Sequence, residues 1–348
     1  MGFNKRIIKI DERSIQLIFG EYDKHIRKIE KAFNISYIYR GDVLTIEGED
    51  SQVDKAESVI NDLYVICKNG NDITDQNVDY AISIVTSGES GKVSDLESDD
   101  ELICHTLAGR PIRPKTFGQK KYTEAIDNNM IIFGCGPAGT GKTYLAMAKA
   151  ITAFKKGDVE RIILTRPAIE AGEKLGFLPG DLQSKIDPYL RPLYDALYEI
   201  MGAESFQKNM EKGLIEVAPL AYMRGRTLDN AFIVLDEAQN TTESQMKMFL
   251  TRIGFGSKAI ITGDQSQKDL AAGTKSGLDI ALKVVNNIEG VAICKLTAKD
   301  VVRHPLVQKI VEAYEKYDSS KLDKNKKDFN QNKSKNRNFH KNNQKNTD

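Results

Sequence analysis

The sequence has no tryptophan, and its four cysteines, Cys67, Cys104, Cys135 and Cys294, are scattered with no C-x-x-C spacing. That pattern excludes a zinc ribbon or a dithiol redox motif and leaves free thiols in a reducing compartment as the expectation. Long apolar runs are missing as well; none approaches the ~18–20 residues that cross a bilayer. The stretch Met1-Gly2-Phe3-Asn4-Lys5-Arg6 lacks a secretory apolar segment and puts Arg6 where a myristoylation signal needs Ser or Thr. The chain is therefore expected to be cytoplasmic, with no membrane partner. Net charge is nearly absent: 50 Lys and Arg stand against 49 Asp and Glu, a formal +1. This disfavours binding nucleic acid by charge alone, while a local basic stripe stays compatible.

What is present is 348 residues, 40% of them apolar, enough for a full core and for two or three domains. The rest of the chain is arranged around Gly136-Pro137-Ala138-Gly139-Thr140-Gly141-Lys142-Thr143. This is G-x-x-x-x-G-K-[ST], a loop whose backbone N–H groups turn inward to cradle phosphates. Lys142 would place a point charge on the β- and γ-phosphates, and the Thr143 hydroxyl is a Mg²⁺ ligand type. Met130–Gly134 reads as a buried strand leading into the loop, and Tyr144–Phe154 as the helix leaving it, its N-terminus toward the anion. ATP and Mg²⁺ are the cofactors this implies.

Upstream, residues 1–68 read as a strand, two helices, a hairpin around Arg40-Gly41-Asp42 and a closing helix carrying Val53, Ala56, Ile60 and Leu63. This β-α-α-β-β-α order resembles a KH domain, a small binder of single-stranded nucleic acid. Where that domain places its G-x-x-G backbone clamp, this chain has Gly20-Glu21-Tyr22-Asp23, with two acids and no second glycine. Lys24, His25, Arg27 and Lys28 follow and partly offset the acids; RNA contact and a purely structural role both stay open. Residues 69–100 read as a helix over Asp75–Val85, then an acidic connector expected to be mobile because it lacks apolar area to bury. Residues 101–317 alternate short β-branched strands and helices in the manner of a parallel sheet: Arg161–Thr165, Ala231–Leu235, Lys258–Thr262 and Val291–Leu296 follow the loop strand. Residues 318–348 turn Lys- and Asn-rich, with nine Lys or Arg against four Asp, and are expected to be a disordered tail. It serves either as a solvating segment or as a salt-sensitive RNA tether.

Two strand ends complete the chemistry. Ile233-Val234-Leu235-Asp236-Glu237 ends in paired acids: Asp236 suits the Mg²⁺ shell and Glu237 the general base that activates water. Thr262-Gly263-Asp264-Gln265 ends the next strand, and Gln265 is placed to sense the γ-phosphate, or else belongs to an ordinary turn.

Asp236-Glu237-Ala238-Gln239 and Gly263-Asp264-Gln265-Ser266-Gln267 resemble motifs II and III of superfamily 1 helicases. A closer resemblance is to the PhoH-like family of ATPases. It is carried further by Gly118-Gln119 with Tyr122, the phosphate loop, Thr165-Arg166-Pro167 with Ala171-Gly172-Glu173, and Val302-Arg303-His304-Pro305. It spans residues 1–317. It implies an α/β, RecA-like P-loop NTPase with a parallel sheet behind a small KH-like domain, ATP hydrolysis, and RNA handling. By analogy with related helicases, Gln119 contacts adenine and Arg166 couples nucleotide to a bound strand. No second RecA-like lobe follows Leu296, so an arginine finger would have to come from a neighbour in a homo-oligomer, such as a hexameric ring. Arg303, just before the helix start marked by Pro305, is the candidate; the alternative is an ion pair with Asp300. A slow ATP-dependent switch or scaffold is the rival reading.

Overall fold

The computed structural model describes residues 3–167, 182–271 and 273–302, with isolated positions at 306, 307, 310 and 313. Met1–Val302 is one compact unit. Arg303, residues 171–173 and the 318–348 tail lie outside the described residues.

The chain opens with β1 (Phe3–Lys9), α1 (Glu12–Phe19), α2 (Lys24–Phe33), β2 (Ser36–Arg40), β3 (Val43–Glu49) and α3 (Asp50–Lys68), the order read from the sequence. The strands pair antiparallel as β1-β3-β2. Period-two alternation sends Leu44 and Ile46 of β3 inward, where they meet Ile18, Ile26, Ile29, Ile60 and Leu63 from the helices. The Gly20–Asp23 turn presents Tyr22 fully to solvent, with Tyr22 and Asp23 both in the left-handed region (φ 54° and 60°).

α4 (Asp75–Ser87) packs across α2 and changes the charge there. Its Asp75 pairs with Lys24 and Lys28, each at 3.1 Å, and its Asp79 pairs with Lys28 at 2.9 Å. Burial opposes the charge on Lys28, but hydrogen bonds to Asp79 and Asp75 outweigh it and hold the ammonium above its usual value. His25 is buried, its Nδ1 3.2 Å from the Leu17 carbonyl. Of the four basic residues after the turn, two are therefore neutralised in place and one is inside the core.

The acidic connector, expected to be mobile, is packed. Val93 and Leu96 are each 1% exposed, in a single 3₁₀ turn over Val93–Leu96. The Asp62 carboxylate accepts from the N–H groups of Val93 (2.7 Å) and Ser94 (3.0 Å). Two anchors worth roughly 1.5–3 kcal/mol each, with that cap, offset the cost of ordering a short turn. Composition averaged over the segment hid both anchors. Glu97 then ties the connector down, accepting from Asn77 Nδ2 at 2.9 Å through Oε1 and from Arg113 Nη1 at 2.9 Å through its carbonyl.

There follow a two-residue ladder, β4 (Cys104–His105) with β5 (Pro111–Ile112), then α5 (Phe117–Asn128), β6 (Ile131–Cys135), α6 (Lys142–Lys156), β7 (Arg161–Arg166), α7 (Leu182–Met201), α8 (Ala203–Glu211), β8 (Ile215–Pro219), β9 (Ala231–Leu235), α9 (Glu243–Leu250), β10 (Lys258–Gly263), α10 (Gly277–Val284) and β11 (Val291–Lys295). Six strands form one sheet in the order β11-β6-β10-β9-β7-β8, every pairing parallel. The continuous apolar runs reflect burial on both faces. Ile132, Phe232, Val234 and Ile260 face α5, α6 and α7, while Phe133, Ile233, Leu235 and Ile261 face α9 and α10. The sixth strand, β8, escaped the sequence reading, since Glu216 breaks its apolar run and Pro219 ends it, as an edge strand permits. This is an α/β fold with a six-stranded parallel sheet, preceded by a small α/β unit. Among the described residues no helix is long and apolar enough to cross a membrane.

Candidate active site

Parallel pairing places the carboxyl ends of all six strands on one rim, where ligands of open α/β sheets bind. β10 lies between β6 and β9, with Gly263 beside Cys135 and Ile261 beside Leu235. The phosphate loop after β6, the acids after β9 and the Gly263–Asp264 corner after β10 thus converge, although 93 residues separate Thr143 from Asp236.

Gly136 to Thr143 connect β6 to α6 as expected. Gly139 (φ 85°) and Gly141 (φ 74°) supply the left-handed turns, which a side chain would strain. Gly136 N–H donates to the Gly263 carbonyl at 3.1 Å. The Pro137 carbonyl accepts from Thr140 Oγ1 at 2.9 Å and from Lys142 Nζ at 3.3 Å, and Ala138 N–H donates to Asp264 Oδ2 at 3.1 Å. The lysine is thereby curled over its own loop. Burial pushes the thiol of Cys135, just before the loop, up to about 11, so it is no nucleophile at neutral pH.

Asp236 is 3% exposed. Its Oδ1 accepts from Thr143 Oγ1 and from Thr262 Oγ1, both at 2.7 Å, and its Oδ2 lies 3.0 Å from Arg166 Nε. A carboxylate this buried would cost several kcal/mol if unpaired. Glu237, next along, has its backbone in the left-handed region (φ 54°), a strained conformation for a residue with a side chain. Its Oε1 accepts from Arg166 Nη2 at 3.0 Å and its Oε2 from Gln239 Nε2 at 2.6 Å. Thr143 and Asp236 offer one hydroxyl and one carboxylate. Such hard oxygens suit Mg²⁺, whose remaining ligands would be phosphate and water.

The PhoH-like protein family matches residues 111–315. A PhoH-like protein of Bacillus subtilis (strain 168) is 51% identical over 316 residues, which cover 91% of this chain and 98% of that one. A PhoH-like protein of Mycobacterium tuberculosis (strain ATCC 25618 / H37Rv) is 52% identical over 301 residues, 86% of this chain and 85% of that one. Protein PhoH of Escherichia coli (strain K12) is 48% identical over 206 residues, 59% of this chain and 58% of that one. The chain belongs to the PhoH-like protein family.

Other residues carrying the family resemblance sit less simply. Gln119 is buried at the start of α5, donating from Nε2 to the Thr140 carbonyl (3.0 Å) and accepting at Oε1 from Lys115 N–H (2.7 Å). It grips the phosphate loop through the Thr140 carbonyl. Gln265 is exposed and donates to Asp279 Oδ1 on α10 at 2.8 Å, apart from the Thr143–Asp236–Glu237 cluster. Asp300, weighed as a partner for Arg303, is buried and accepts from Thr116 Oγ1 (2.6 Å) and Thr297 N–H (2.7 Å). Sequence reasoning gave no role to Thr262, Gln239 or Asp264. The available signal was their position, all three ending or closely following an apolar strand run, as the phosphate loop itself does.

Proposed function

We propose that the chain binds ATP and hydrolyses it with Mg²⁺, coupling turnover to single-stranded RNA. The observation that carries the hydrolytic part is the 2.7 Å contact of Thr143 with Asp236, with Glu237 beside it on the same rim. Loop N–H groups and the N-terminus of α6 receive the phosphates, and Lys142 swings from the Pro137 carbonyl onto the β- and γ-oxygens. Thr143 and Asp236 would hold Mg²⁺, which when bound neutralises charge developing on the phosphates. Glu237, its side chain one-third exposed (34%), takes a proton from the attacking water. Each oxygen of Glu237 already accepts one hydrogen bond, so an attacking water must share an oxygen with Arg166 or Gln239, and those donors weaken the carboxylate as a base. That favours slow basal turnover, and with it the second reading of an ATP-dependent switch or scaffold.

The KH-like element order supports RNA coupling, and the ion pairs of Lys24 and Lys28 argue that α2 does not bind phosphate in this arrangement. The test is phosphate release with Mg²⁺ and with chelator, each with and without single-stranded RNA. Several-fold stimulation by RNA supports coupling, a flat response supports the switch, and no Mg²⁺-dependent release sinks hydrolysis altogether. Arg303 is proposed as a finger supplied across a homo-oligomeric ring. Mixing Arg303→Ala with Lys142→Ala subunits, each inactive alone, should recover activity by pairing intact loops with intact arginines. A mixture that stays inactive despite demonstrated subunit exchange rules Arg303 out.

A further inference from the structure

Gln239 is 1% exposed, and its polar groups are spoken for by functional elements. Its amide nitrogen donates to Glu237 Oε2 at 2.6 Å, and its amide oxygen accepts from Asp264 N–H at 3.0 Å. Its carbonyl accepts from Ser276 Oγ at 2.8 Å, which pins the backbone. Asp264 in turn accepts from Ala138 N–H of the phosphate loop at 3.1 Å. One unbroken chain of hydrogen bonds therefore runs from the phosphate loop through Asp264 and Gln239 to the carboxylate of Glu237. The corner it crosses is tight: a Cβ added to Gly263 would lie 3.0 Å from Gln239 Oε1.

The backbone at Glu237 explains why such a brace is needed. With φ 54° and ψ 38°, the residue has left the extended path of β9, so strand geometry no longer aims its side chain. Its direction is set by Arg166 on one oxygen and Gln239 on the other. The two braces differ in kind. Arg166 also pairs with Asp236 and so belongs equally to the metal side of the site. Gln239, a neutral amide, reaches the phosphate loop through a separate route.

We infer that Gln239 is a positioning residue for hydrolysis, aiming Glu237 and tying its direction to the phosphate loop through Asp264. This rests on the reading of Glu237 as the base that activates water. A displacement of about 1 Å at a reacting group can cost on the order of 10²-fold in rate, so the loss should appear in kcat and spare nucleotide binding.

The test uses the full chain and two variants, measuring kcat, KM for ATP, nucleotide affinity and melting temperature. Gln239→Glu keeps the size and the acceptor for Asp264 N–H but replaces the donor to Glu237 with a carboxylate oxygen. It should lose about 10–100-fold in kcat, with KM and nucleotide affinity within about threefold. Gln239→Met, which removes the amide and retains the bulk, should show the same split. Each change is then repeated in a Glu237→Gln background, where there is no base left to aim; there it should cost less than about twofold, because groups acting as a unit are non-additive. Wild-type kcat in both single variants overturns the inference. So does an equal loss with and without Glu237, or a loss tracking nucleotide affinity and melting temperature, since either marks a purely structural residue. Full turnover by Glu237→Gln alone overturns the base assignment itself and the inference with it, and is distinguishable from failure of Gln239 alone.

Discussion

The strand-end rim and the N-terminal α/β unit are built from opposite materials. On the rim, buried and half-buried polar groups bond chiefly to one another: Asp236, Thr143, Thr262, Arg166, Glu237, Gln239 and Asp264 form a continuous set within 3.1 Å contacts. The N-terminal unit has a mainly Ile, Leu and Val interior and, apart from the buried Asp62, keeps most of its charges outside in pairs such as Lys28 with Asp79. The contrast teaches where each region can change. Polar contacts on the rim can be exchanged for those of a ligand at little net cost, since each is a hydrogen bond traded for another. An apolar core offers no such exchange, and only its ionic surface is adjustable.

The sharpest break of that comparison comes from the rim. Lys142→Ala should abolish measurable phosphate release, a loss beyond about 10³-fold, and strongly weaken ATP binding, because no other cation of the loop replaces the charge. Near-normal turnover measured in that variant would remove the phosphate-loop assignment. Glu237→Gln preserves shape and one of the two accepted hydrogen bonds but removes the base, so calorimetry should find ATP bound while turnover drops ~10²–10⁴-fold. Collapse of binding as well would make Glu237 a metal-site or structural residue.

The N-terminal core should respond in stability rather than chemistry. Leu44, fully buried, leaves a cavity when changed to Ala, for an expected loss of about 2–5 kcal/mol read from denaturant unfolding. The kcat of the folded fraction should stay within about twofold; a larger change would show that the two regions are energetically coupled. The smallest effect lies at the unit's surface. Asp75→Asn with Asp79→Asn releases Lys24 and Lys28, and single-stranded RNA affinity at low salt should rise a few-fold. The slope of log affinity against log salt should steepen by up to about 1.4, for two further phosphates on a single strand. Unchanged affinity and slope would mean that these lysines are not masked sites.

Local spacing made much of this legible in advance. The phosphate loop, the paired acids and five of the six strands were readable because each is a contiguous pattern, a glycine-lysine spacing or a run of β-branched residues. The connector was misread because two isolated anchors, Val93 and Leu96, decide its packing, and an average over fifteen residues dilutes two. β8 was missed because an edge strand tolerates Glu216 and Pro219, so its pattern is weak.

What the sequence by itself determined is the inventory: a loop that can hold phosphates, an acid for a metal, an acid for a proton. Those properties follow from bond geometry and charge within eight residues or fewer. Which atom meets which was decided only by the sheet, since β10 inserts between β6 and β9 and brings Ala138 to Asp264, 126 positions apart. No local pattern could say that Gln239 would reach Asp264, or that α4 would cover the lysines of α2. Such contacts depend on strand order and helix packing, where residues distant in the chain become neighbours only after the apolar runs on both faces are buried.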